Sequence, residues 1–107
     1  MLHVILSSCP AAAADAIARG LVEQRVAACV SVLPGAVSTY RWQGAVRCEP
    51  ETLLVIKAPE ETLEACMAAL VALHPYDVPE VVAWPAQRVA DSYLAWALAA
   101  CDVRGPI

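Results

Sequence analysis

Charge is scarce in this chain. Asp, Glu, Lys and Arg make up only 17% of its 107 residues, where about a quarter is usual. Seven basic residues face eleven acidic ones, for a net charge of -4, and no basic stretch is long enough to follow a phosphate backbone. Nucleic acid is therefore not an expected partner. Long hydrophobic runs are also missing. The chain is 60% hydrophobic, yet no run approaches the ~20 residues of a membrane span, so no membrane partner is expected. The five cysteines, at 9, 29, 48, 66 and 101, are odd in number and contain no C-x-x-C pair. Neither a disulfide framework nor a zinc knuckle is signalled, and reduced thiols in the cytoplasm are the simplest reading. There is no Gly-rich phosphate loop, nucleophile elbow, paired-His metal helix, or Ser-His-Asp or Cys-His grouping. The chain is expected not to be an enzyme and to carry no organic cofactor.

What is present fits one domain over residues 1–107. A small domain has much surface, and this one has little charge with which to cover it. Burial of apolar surface against other copies of the chain is the expected answer. The alternative is an ordinary domain whose apolar residues are mostly small alanines.

The segment His74-Pro75-Tyr76-Asp77-Val78-Pro79-Glu80 is the most informative stretch. It sets an imidazole, a phenol and carboxylates around two prolines, each of which fixes its own φ and restricts the residue before it. Such a stiff polar corner either caps a packing joint or forms part of a site.

Residues 2–7 read as a first strand. Leu6-Ser7-Ser8-Cys9 superficially matches a lipoprotein cleavage box, but it lacks a basic leader and a long apolar stretch before it. Pro10 opens a helix expected to run to Arg25, with Ala13, Ala16, Ile17, Gly20 and Leu21 inward and Asp15, Arg19 and Glu23 as a charged stripe. Residues 28–33 and 36–42 form a strand bent at Pro34-Gly35. Gln43-Gly44 supplies hairpin turn chemistry, so residues 46–58 fold back antiparallel on long arms that project beyond the sheet. Pro59-Glu60-Glu61 opens a second helix with Leu63, Cys66, Met67, Leu70, Val71 and His74 on its apolar face. Residues 78–84 read as a strand, Asp91 starts a last helix, and residues 102–107 read as a loose tail. The order β-α-β-β-α-β plus a C-terminal helix predicts an α+β, ferredoxin-like split βαβ domain with an antiparallel sheet. Both main helices would cover one sheet face. Only the last helix would cover the other, a second reason to expect subunit contacts.

At this point the residues resemble a known family. Ala27-Ala28-Cys29-Val30, Leu33-Pro34-Gly35, Ser38-x-Tyr40-x-Trp42-x-Gly44, Leu54-x-Ile56-Lys57, His74-Pro75-Tyr76-x-x-Pro79-Glu80 and Tyr93-Leu94-x-Trp96 follow one another in register. Together they closely resemble CutA, the divalent-cation tolerance protein family, over nearly the whole chain. The resemblance implies a homotrimer similar to PII signal proteins and a role in tolerance of divalent metal ions. It also implies copper, Cu(II), or another divalent cation as a ligand. The histidine proposed as a copper ligand in the family corresponds to His74. A cysteine and a second histidine used by some members correspond to Ser7 and Leu73.

His74 and Glu80 are thus the candidate metal ligands. The structural reading of His74 is the end of a helix face, where a cation is favourable; the functional one is an imidazole for copper or zinc. Lys57, Tyr40, Trp42 and Tyr76 are candidates for a cleft between subunits. Lys57 either pairs with Glu80 or Glu51, or meets a small anionic ligand there, as in a PII-like regulatory module. The aromatic residues either pack or line that cleft. Cys29 reads as a core thiol and Cys48 as an exposed one. A third reading of the whole chain is a stable scaffold that docks another protein.

Overall fold

The computed structural model describes residues 1–102; beyond Asp102, the expected loose tail lies outside the described residues. Strand β1 (Leu2–Cys9) leads into helix α1 (Ala11–Glu23). Pro10 caps this helix with extended backbone, φ -63° and ψ 146°, and Ala14, Ile17 and Leu21 form its buried stripe. Ala16, expected inward, is exposed. The helix ends two residues before the expected Arg25, because Arg25 takes a left-handed φ of 60°. Its N–H reaches the Val22 carbonyl and that of Val26 reaches Leu21, the paired bonds of a Schellman cap with arginine where glycine is usual.

Strands β2 (Cys29–Trp42) and β3 (Ala45–Pro59) form the long hairpin. Its register shifts between Leu33 and Ala36, and Gly35 takes the φ of 91° that the bulge requires. Gln43 and Gly44, at φ 50° and 81°, make the two-residue turn, with two positive φ values as in a type I′ turn. β1 pairs with β3 only from Thr52 to Pro59. The rest of the hairpin therefore projects, and the molecule measures 48 × 26 × 22 Å.

A short 3₁₀ turn (Glu60–Thr62) precedes helix α2 (Leu63–Leu73). Cys66 and Leu70 are its buried positions, while Val71, expected inward, is exposed. Strand β4 spans only Val82–Pro85, not the expected 78–84. Pro79 cannot donate to a ladder, and residues 75–78 bend. Helix α3 (Asp91–Cys101) begins at the expected residue.

The sheet order is β2-β3-β1-β4 with antiparallel pairing throughout, as in a ferredoxin-like domain. Ile5, Cys9, Leu54, Ile56 and Ala58 pack with Ile17, Leu21, Cys66 and Leu70 of α1 and α2. Leu2 and Ala28 pack with Ala97 and Cys101 of α3 in a second, smaller core. On β4, the sheet edge away from the hairpin, Val82 and Trp84 remain exposed. Among the described residues, no helix is long and apolar enough to cross a membrane.

Candidate ligand pocket at the base of the hairpin

Three parts of the fold meet where the hairpin leaves the sheet. β1 ends there with Ser8, the hairpin brings Ser38, Tyr40, Trp42, Arg47 and Glu51, and the loop after α2 brings Tyr76, Asp77 and Glu80. They surround an open cavity of about 460 Å³, within the range of about 300–1,000 Å³ that small-ligand pockets occupy.

His74 holds the loop in place from behind. It ends α2 with extended backbone, ψ 137°, which the following Pro75 favours. The side chain is buried. Its Nδ1 accepts the Tyr76 N–H at 3.1 Å, which leaves Nε2 to donate to the Ser8 carbonyl at 2.8 Å. Both nitrogens are therefore engaged by backbone. The ring also lies 4.8 Å, centroid to centroid, from that of Tyr76.

The same loop is pinned at its other end. Ser8 Oγ donates to Glu80 Oε1 across 3.4 Å, a long bond. Tyr76 Oη donates to Glu51 Oε2 at 3.0 Å, and Tyr40 Oη to Glu49 Oε1 at 2.7 Å. Burial, then the bond to Glu51, pushes the Tyr76 hydroxyl up to about 12. The bond to Glu49 is the main reason that Tyr40 is also raised.

Five of the six candidate residues meet around this point. Tyr40, Trp42, Tyr76 and Glu80 line the cavity and His74 supports it. Lys57 does not join them. It lies six positions beyond Glu51 on β3, about 20 Å away at strand spacing, opposite Val4 and Cys29. Among the described residues it forms no salt bridge with Glu51 or Glu80; the side-chain ion pair seen is Arg19–Asp15, exposed, at 3.4 Å. The cation in the pocket is Arg47, which was not expected there, nor were Glu51 as a wall, Ser8 and Ser38; Asp77 belongs to the polar corner singled out from the sequence. A signal for Arg47 was available: a two-residue turn at Gln43-Gly44 sets Tyr40 opposite Arg47.

A copper centre built on His74 does not fit this geometry. Its ring nitrogens already have partners, and Glu80 is turned to Ser8. Among the described residues, no three His, Cys, Asp or Glu groups are placed to hold one ion. Ser7 and Cys9 are buried, and Cys9 belongs to the helix-side core. Leu73 packs against Gly20. Cys29, expected in the core, is only half-buried, while Cys48 is exposed.

The model of the CutA1 divalent ion tolerance protein family matches residues 3–100. The chain belongs to this family. It is 43% identical over 97 residues to the divalent-cation tolerance protein CutA of Thermus thermophilus, covering 90% of this chain and 94% of that one. With the chloroplastic CutA of Arabidopsis thaliana it shares 42% over 80 residues, 75% of this chain but only 44% of the longer plant protein. A CutA structure from Xylella fastidiosa superposes with a TM-score of 0.91 at 43% identity, covering 94% of this chain and 98% of that one. Within this CutA1-family fold, the pocket is walled by β2 and β3 of the hairpin and closed by the loop that His74 anchors.

Proposed function

We propose that this CutA1-family chain serves divalent-cation tolerance as a non-enzymatic binding module, with the pocket at the base of the hairpin as its cation site. One observation carries the reading. Glu51, Asp77 and Glu80 line the cavity against a single guanidinium, Arg47. Among the described residues these three are not placed to ligate one ion directly, so the cation is held through its own water, as carboxylates suit hydrated, oxygen-seeking divalent ions. The affinity is accordingly weak and exchangeable, and His74 shapes the pocket without binding the metal.

The working form is a homotrimer in the cytoplasm. Exposed Val82, Trp84, Trp96, Val37 and Val46 support self-association, and five free thiols fit a reducing compartment. A module for a small anionic ligand, the PII-like alternative, has Arg47 in its favour instead of Lys57, but three carboxylates oppose it.

Native mass spectrometry establishes the oligomer, and calorimetric titration with Mn(II), Zn(II) and Cu(II) tests the site. Glu51→Gln with Glu80→Gln should weaken uptake by about tenfold or more, and Zn(II) should leave the ring-nitrogen NMR signals of His74 in place. Uptake that ignores both carboxylates, or a coordination shift at a His74 ring nitrogen, would overturn the assignment.

A further inference from the structure

We infer that the same pocket also takes a small organic ammonium ion, which competes there with the divalent cation. The inference rests on reading this cavity as the binding site, and it goes beyond that reading through the walls. Three aromatic side chains, Tyr40, Trp42 and Tyr76, share the cavity with Glu51, Asp77 and Glu80. A hydrated metal ion makes no use of aromatic walls. An alkylated ammonium uses both parts of the lining: its charge faces the carboxylates, and its carbon shell faces ring surfaces whose quadrupole attracts cations.

The arrangement of the rings supports this occupant. The three are each between 38% and 41% exposed, so they offer surface without being packed away. The two phenols are tethered by their hydroxyls, Tyr76 to Glu51 and Tyr40 to Glu49. This fixes each ring beside a negative charge. Each phenol also faces the other's carboxylate, Tyr40 facing Glu51 and Tyr76 facing Glu49, although at Tyr40 the Arg47 guanidinium outweighs Glu51. His74 stiffens the third wall by holding the Tyr76 backbone. The cavity, at about 460 Å³, leaves room for a ligand of several carbons as well as its charge. Among the described residues that line the cavity, Arg47 is the one cationic group, so its removal is diagnostic of ligand sign.

The test titrates the full chain with choline and, as a neutral control of the same shape, 3,3-dimethylbutan-1-ol, followed by NMR of the Trp42 indole and the Tyr76 amide. Binding of Mn(II) is measured in parallel. Choline should bind and the alcohol should not. Tyr76→Leu should weaken choline by roughly three- to fivefold. Arg47→Gln should strengthen choline, and saturating choline should displace Mn(II). Choline that fails to bind while Mn(II) does would overturn this inference and leave the proposed cation site standing. Failure of both ligands would remove both. Equal binding of choline and its neutral control, or weaker choline binding in Arg47→Gln, would also overturn it, by showing a merely apolar or an anion-selective pocket.

Discussion

His74 and Ser8 are joined through a buried hydrogen bond of 2.8 Å from the imidazole Nε2 to the strand carbonyl. The opposite ring nitrogen accepts the Tyr76 N–H, so one side chain ties the end of β1 to the loop that closes the pocket. His74→Ala should cost about 2–4 kcal/mol, since it empties a buried site and leaves two backbone groups without their partner. Urea unfolding measures the loss, and NMR of the ring nitrogens in the native protein should find the hydrogen on Nε2. A loss below about 0.5 kcal/mol, or a hydrogen on Nδ1, would contradict this role.

Gly20 and Leu73 mark where α1 and α2 approach. A methyl group at Gly20 would lie 2.8 Å from Leu73 Cδ1, too close for contact, but Leu73 is partly exposed and its side chain has room to swing. Gly20→Ala should therefore be near neutral, because about 0.5–1 kcal/mol of helix propensity offsets the displacement. Combining it with Leu73→Ala relieves the crowding. The double mutant should then exceed the sum of the single changes by about 0.5–1 kcal/mol. Strict additivity in thermal or urea unfolding would show that the two side chains do not compete for space.

The elements that local chemistry dictates were legible in the sequence. The Pro34-Gly35 bulge, the Gln43-Gly44 turn and the α3 start at Asp91 all stand where expected, because a fixed or positive φ or a helix-start signal leaves few alternatives. The end of α1 was not legible, since Arg25 occupies a left-handed position that glycine would have advertised. Nor was the short β4, whose β-branched lead-in is overruled by the bends after His74. In the site, the His74 segment carried its signal in the prolines, but the engagement of both imidazole nitrogens depends on where β1 ends, a tertiary fact. Lys57 drew attention as a charge in an apolar strand. It is only half-buried, and the relevant cation is Arg47, further along the same strand toward the turn.

The thiols should separate clearly by alkylation. Cys48 is exposed on the hairpin, whereas Cys9, Cys66 and Cys101 are buried. Burial pushes the Cys66 thiol up to about 12 and also raises Cys9 and Cys101, so both access and thiolate fraction oppose reaction near neutral pH. Pulsed iodoacetamide with peptide mass spectrometry should label Cys48 first, with the other three protected until the protein unfolds. Early labelling of Cys66 would mean that the contact between α2 and the sheet opens more readily than its packing implies.

Tyr76 gives the fold an alkaline limit. Its hydroxyl, bonded to Glu51 at 3.0 Å, is pushed up to about 12 by burial and by that carboxylate, against about 10 in an unfolded chain. The raised folded value means that the native state favours the neutral phenol. The contribution is fully present below pH ~10 and is lost as pH rises through about 12. Tyr76→Phe should therefore lower stability at neutral pH and flatten the decline across this window. Tyr40→Phe serves as the comparison, because Tyr40 is also raised but is bonded to Glu49 at the exposed hairpin. Spectroscopic titration of native protein should lose its highest tyrosinate step in Tyr76→Phe. If that step stays, or if Tyr76→Phe and wild type decline in parallel above pH 10, the bond to Glu51 does not hold the pocket loop, and His74 anchors it alone.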